Sequence, residues 1–266
     1  MEPGPELLYD RIMATLEQPA HKWNAAPRPD RAEAARDSLI VALDVPDAKS
    51  AAAIVSRLEG SVRWCKVGLE LFTAAGPAIL ESLLRRSQRV FLDLKFHDIP
   101  NTVAGAVRSA ASLGVHMMTV HAGGGPSMLA AARAAIEGVP DPPELLAVTV
   151  LTSMDAAQLS ASGVERPPSE QVELLGRLGI AAGYRGFVCS PQEIARMRAL
   201  TGPDGIVVVP GIRPAGADAG DQKRIATPAE ALRLGASYLV VGRPITQAPD
   251  PAAAAEAIVR EMTEAL

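Results

Sequence analysis

Residues 93–98 read Asp-Leu-Lys-Phe-His-Asp and close the apolar run Val90-Phe91-Leu92. Side chains alternate along a strand, so Asp93 and Lys95 share one face while Leu94 and Phe96 take the other. Asp98 lies just beyond, where Ile99-Pro100-Asn101-Thr102 ends the strand and opens a helix. Like charges about 4 Å apart at an effective dielectric near 20 repel by roughly 4 kcal/mol. Two carboxylates around one ammonium are therefore costly to assemble at a strand end unless the charges are used. Read alone, these six residues fit a solvated ion-pair cluster as well as a reactive array.

The elements that must position them come in a repeat. After about residue 38, short β-rich runs at 39–44, 62–67, 90–95, 116–121, 145–151, 186–189, 205–210 and 237–242 alternate with helical patterns. The helices are expected near 47–59, 70–87, 101–113, 126–137, 169–182, 191–201, 228–235 and 251–265. Near-continuous Val/Ile/Leu runs suit parallel strands buried on both faces, and the alternation suits right-handed βαβ units. Eight such units over this length predict one closed (β/α)8 TIM barrel across residues 39–266. An open doubly wound sheet is the competitor, weakened by the lack of a G-x-G-x-x-G turn after the first strand. Residues 1–38 read as an N-terminal extension, a helix at about 5–18 followed by a Pro-punctuated linker.

Barrel chemistry sits at the C-terminal ends of the strands. There the chain places Asp44, Lys66, Asp93 and Lys95 on strands 1 to 3, spaced to form one contiguous charged array. Asp44 by itself also fits a helix N-terminal acid before Val45-Pro46-Asp47, and Lys66 by itself a lysine reaching out to solvent. Strand 5 ends with Thr152-Ser153. Strands 7 and 8 end with Gly211-Ile212-Arg213 and Gly242-Arg243, where glycines admit close backbone approach and planar guanidinium forks suit a phosphate or carboxylate. The Gly/Asp-rich stretch 214–224 between them is expected to fold over a ligand, with Gln222 reaching a phosphate oxygen; an ordinary surface loop is the plainer alternative. Gly123-Gly124-Gly125 reads as a tight turn before a helix that starts at Pro126.

Composition narrows the function class. The 266 residues are 48% hydrophobic and 21% charged, with net charge −4, which provides no general basic surface for nucleic acid. No apolar run approaches the roughly 20 residues needed to span a bilayer, and the acidic start (Glu2, Glu6) lacks an apolar signal core. A cytoplasmic protein is expected, with Cys65 and Cys189 as reduced buried thiols. Four scattered histidines form no close ligand cluster, so no metal site is expected.

Asp93-Leu94-Lys95-Phe96-His97-Asp98-Ile99-Pro100-Asn101-Thr102 resembles the signature of the orotidine 5′-phosphate decarboxylases, which catalyse the last step of UMP synthesis. The resemblance extends through Leu43-Asp44-Val45-Pro46, Lys66-Val67-Gly68 and Leu151-Thr152-Ser153-Met154. It continues in Pro210-Gly211-Ile212-Arg213-Pro214, Gly220-Asp221-Gln222-Lys223-Arg224 and Val241-Gly242-Arg243-Pro244-Ile245-Thr246, in family order over about 39–265. Residues 1–38 depart from the compact family pattern, which starts close to strand 1.

The resemblance implies a cofactor-free decarboxylase of orotidine 5′-phosphate, acting as a homodimer. It implies Lys95 as proton donor to C6 of the pyrimidine and Asp93 beside the departing carboxylate. Lys66 would orient the network and, with Asp44, contact the ribose hydroxyls. Asp98 and Thr102 would reach into the neighbouring subunit's site. Thr152 would lie near the pyrimidine, and Arg213, Gln222, Gly242 and Arg243 would bind the substrate and hold its phosphate. Three rivals stay open: a metal-dependent sugar-phosphate decarboxylase or aldolase on the same barrel, a Schiff-base aldolase with Lys95 as nucleophile, and a non-catalytic phosphate-ligand binder. The Phe96-His97-Asp98-Ile99-Pro100-Asn101 context speaks against the first. The carboxylates beside Lys95, which suit an ammonium rather than a nucleophilic amine, speak against the second, and the complete Asp93/Lys95/Asp98 set against the third.

Overall fold

A computed structural model describes residues 30–58, 60–214 and 224–266. Its eight strands are β1 (Leu39–Ala42), β2 (Trp64–Gly68), β3 (Arg89–Phe96), β4 (Met117–His121), β5 (Glu144–Val148), β6 (Gly186–Val188), β7 (Ile206–Val209) and β8 (Tyr238–Val241). Each pairs in parallel with its sequence neighbours, and β8 returns to β1, so the sheet closes into the expected barrel. Closure leaves no sheet edge unpaired.

The period of two explains how one strand serves both core and site. In β2, Cys65 and Val67 face outward into the layer shared with the helices, while Trp64 fills the barrel interior. Trp64 packs there with Ile40, Phe91, Met117, Leu146, Val208 and Val240. Two residues further along the same faces come Lys66, Asp93 and Thr119. The apolar layer is thus a floor under the polar one. Burying each such large side chain stabilises the fold by roughly 1.5–3 kcal/mol. At the opposite end, Trp64 meets His116 and Tyr238 edge-on, and the Arg89 guanidinium lies 5.3 Å from the centre of the Trp64 ring. This cluster plugs the barrel bottom.

Helix starts follow local chemistry. Asp47 caps Ala48–Arg57 by accepting from the Ser50 N–H at 2.7 Å, so Asp47 rather than Asp44 is the helix's acid. Thr227 and Glu230 form a reciprocal capping box at Pro228–Arg233, and Pro100, Pro168, Pro228 and Pro251 sit in the first turns of their helices. The glycine triplet behaves as expected: a short 3-10 turn, Ala122–Gly124, leads into helix Gly125–Ala134.

Some boundaries differ from expectation. The single helix expected over 70–87 is two, Leu69–Ala75 and Ala78–Leu84, because Gly76 adopts φ 61° ahead of Pro77. Short helices at Ala156–Ala161 and Arg243–Thr246 lie outside the eight helical stretches expected from the sequence. Arg31–Ser38, within the stretch read as linker, is helical and belongs to the compact unit 31–266. Arg36 pairs with both carboxylate oxygens of Glu256 at 2.9 and 3.0 Å, tying this helix to Pro251–Ala265. The helix expected at 5–18 lies outside the described residues. Among the described residues, no helix is long and apolar enough to cross a membrane.

Candidate active site

β3 ends in an irregularity that aims its last polar residues. Leu92 pairs with Met118 but Phe96 pairs with Val120, so four steps on β3 oppose two on β4. Lys95 absorbs the excess with φ 50°, a left-handed conformation that costs a non-glycine residue on the order of 1 kcal/mol. Thr119, on β4, secures the distortion. Its hydroxyl accepts the Lys95 backbone N–H at 2.8 Å and donates to Asp93 Oδ1 at 3.0 Å.

The charges form one chain of contacts. Lys66 Nζ donates to Asp44 Oδ1 at 2.9 Å and lies 3.6 Å from Asp93 Oδ2; Lys95 Nζ donates to Asp93 Oδ1 at 2.9 Å. Exposure grades along it: the Lys66 side chain is 9% exposed, Asp93 14%, Lys95 33% and Asp44 60%. Two members are therefore walled in while two reach the mouth. Burial alone would raise the Asp93 pKa, but the charges of Lys66 and Lys95, with hydrogen bonds from Lys95 and Thr119, outweigh it. The carboxyl is held below its ordinary range and stays ionised. Gly68 leaves room for the first pair, since a Cβ there would sit 2.9 Å from Lys66 Nζ and 3.1 Å from Asp44 Oδ1.

These side chains line one wall of a cavity of about 650 Å³ at the C-terminal ends of the strands. Arg213, Gly211, Gly242 and Arg243 line the other side, with Thr152 and Ser153 between. Gly211 takes φ 81°, which turns the chain sharply after β7. Arg213 is 7% exposed and donates to its neighbour's carbonyl, Ile212 O, at 2.9 Å. Asp44, Lys66, Asp93, Lys95, Thr152, Arg213, Gly242 and Arg243 thus share one cavity.

Asp98 and Thr102 do not. Both are exposed outside the cavity, and Asp98 Oδ1 accepts the Ile99 N–H at 2.6 Å. Gln222 lies outside the described residues, as does most of the 214–224 stretch. The sequence alone does not single out Thr119: one threonine inside Met-Met-Thr-Val-His looks like a tolerated core residue. The signal that points to it is its position, inward-facing and level with Asp93. Gln247 and Thr246 also line the cavity, at the C-terminal end of the short helix Arg243–Thr246.

Beside the cavity, His97 and His121 stack with ring centres 5.0 Å apart and planes 13° from parallel. His121 Nδ1 accepts the Gly123 N–H at 3.1 Å. Burial first, then the neighbouring His97 and Lys95, push its pKa down to about 4. Cys65 and Cys189 are free and buried, and burial raises the Cys65 thiol to about 12. Among the described residues, no group of three or more His, Cys, Asp or Glu side chains is placed to hold a metal ion.

Sequence comparison agrees with this geometry. The model of the orotidine 5′-phosphate decarboxylase / HUMPS family matches residues 37–258. The chain belongs to this family. An orotidine 5′-phosphate decarboxylase of Moorella thermoacetica is 55% identical over 234 residues, covering 86% of this chain and 93% of the relative. One of Nostoc sp. is 53% identical over 236 residues, covering 85% and 98%. The crystal structure of orotidine 5′-phosphate decarboxylase from Lactobacillus acidophilus superposes with a TM-score of 0.75 at 40% identity, covering 85% of this chain and 99% of that one. The decarboxylase family therefore accounts for the barrel as well as for the motifs.

Proposed function

We propose that this chain decarboxylates orotidine 5′-phosphate to UMP, without a cofactor, as a cytoplasmic enzyme of pyrimidine synthesis. The observation that carries the reading is the contact chain Asp44–Lys66–Asp93–Lys95 along one wall of a cavity whose other wall carries Arg213 and Arg243. A substrate with a phosphate at one end and a carboxylated ring at the other fits that division of charge. The cavity volume lies within the range of small-molecule sites.

In this reading Lys95 protonates C6. Loss of CO₂ leaves an electron pair in the ring plane with no conjugated sink, and a fixed ammonium stabilises that charge as it develops before delivering the proton. Asp93, kept ionised by its two lysines, stands beside the departing carboxylate. Repulsion of roughly 4 kcal/mol between the two would supply only about three powers of ten in rate, since each 1.36 kcal/mol is tenfold. Ground-state stress is thus a minor share. Lys95 and the binding of the remote phosphate carry the greater part. Lys66 and Asp44 take the ribose hydroxyls, Thr152 lies near the pyrimidine, and Arg213, Gln222, Gly242 and Arg243 hold the phosphate end.

The working unit is a homodimer in which Asp98 and Thr102 serve the partner's site. Their exposure outside the cavity supports this. So does the position of Ile99, 67% exposed, and Leu69, 59% exposed, in the segments following β3 and β2 at the mouth. Bare side chains of this kind at a site's rim suit burial against a second copy.

The test is the ultraviolet absorbance of orotidine 5′-phosphate mixed with protein treated exhaustively with EDTA. A prompt change to UMP, reduced by at least about 10² in Lys95→Ala, is the expected result. Silence from folded, nucleotide-binding wild type would overturn the reading in favour of a metal-dependent relative or a binder.

A further inference from the structure

Arg224 stands where three segments from different strands meet. It is 7% exposed, and its Nη1 donates to Glu193 Oε1 at 2.5 Å. Nη2 donates to the Leu151 carbonyl at 3.1 Å, and Nε to the Thr152 carbonyl at 3.4 Å. Glu193 is 3% exposed, and its other carboxylate oxygen accepts from the hydroxyl of Ser190, which is fully buried. Leu151 and Thr152 follow β5, Ser190 and Glu193 follow β6, and Arg224 precedes Ala226, which bridges Ile212 after β7. Ala226 O in turn accepts the Arg213 N–H at 3.0 Å.

A buried ion pair is weak evidence for stability, because well-packed apolar residues of similar volume often serve a core as well or better. What apolar residues cannot do is hold carbonyls. The guanidinium is the side chain with enough donors, in a fixed plane, to grip one carboxylate and two backbone oxygens together. Leu151 O accepts a second donor as well, the Met154 N–H at 2.9 Å, so the turn is pinned from inside and from Arg224.

We propose that Arg224, oriented by Glu193, is a positioning residue that fixes the Leu151–Thr152 turn over the cavity and ties it to the Arg213 side of the mouth. This rests on the decarboxylase reading above. Arg224 touches no reacting atom; it acts through the Thr152 backbone, and its loss lets that turn shift against the pyrimidine half of the substrate.

The experiment compares wild type, Arg224→Lys, Glu193→Gln and the double variant Arg224→Met/Glu193→Leu. Each is tested on orotidine 5′-phosphate and on the nucleoside lacking phosphate, with thermal unfolding measured alongside. The double variant removes both charges together, so no buried charge is left unpaired; it is expected to fold, with a melting temperature lowered by the loss of the acceptor for the buried Ser190 hydroxyl. Its kcat/KM should fall on the order of tenfold or more on both substrates, chiefly through kcat. Arg224→Lys, which keeps the charge but not the fork, should recover only part of the activity. Wild-type kcat/KM in a folded double variant would overturn the proposal and leave a packing role. A loss confined to the phosphorylated substrate would also overturn it, assigning Arg224 to the phosphate end. Should the double variant not fold, Glu193→Gln and Arg224→Lys decide by the same two-substrate comparison. Inactive wild type would instead refute the decarboxylase reading itself.

Discussion

Thr119 and Asp93 are joined by a hydrogen bond of 3.0 Å, and the same threonine oxygen accepts the Lys95 N–H at 2.8 Å. One hydroxyl thus fixes a carboxylate and the backbone of the ammonium beside it. Thr119→Val keeps the shape but leaves the Lys95 N–H without its acceptor, a cost of about 1–3 kcal/mol. We expect a lower melting temperature and a kcat/KM reduced about tenfold or more. Unchanged kinetics on orotidine 5′-phosphate would show that Lys95 does not need this support.

The shared-site arrangement can be read from hybrids. Lys95→Ala and Asp98→Asn are each expected to be inactive alone. Mixing and refolding them creates dimers in which one site pairs an intact Lys95 with the other chain's intact Asp98. Random pairing should restore about a quarter of wild-type activity. If Asp98 serves its own chain's site, mixing restores nothing.

The His97–His121 stack gives a pH signature. An unfolded histidine takes up a proton below about 6.5, whereas His121 in the fold resists until about 4. Between those values the unfolded state binds more protons, so this group's contribution declines as pH falls from 6.5 and levels off below about 4. His121→Gln removes that slope. Urea unfolding of both proteins at several pH values should show their stability difference changing across this window. A constant difference would mean that His121 titrates normally.

Remote phosphate binding has its own check. Inorganic phosphite added to the phosphate-free nucleoside should raise the decarboxylation rate, because the anion occupies the Arg213/Arg243 side while the ring occupies the Lys95 side. Arg243→Ala should abolish most of that activation. No rise with phosphite in wild type would remove phosphate binding from the account of the rate.

The sequence by itself determined the eight-fold alternation, since strand and helix periods are local and survive without tertiary context. It also determined which side chains stand at the strand ends: Asp44, Lys66, Asp93 and Lys95 follow their apolar runs directly. Local reading failed where backbone geometry overrode pattern. Gly76-Pro77 divided one expected helix into two, and the left-handed turn at Lys95 was not legible in a run that reads as plain strand. What only the tertiary structure decided was which distant groups meet. Thr119 reaches Asp93 across 26 positions, and Arg224 reaches Leu151 across 73. Neither pairing leaves a trace in spacing. Barrel closure and strand register, not periodicity along the chain, place a threonine level with a carboxylate and a buried arginine beneath the turn that lines the site.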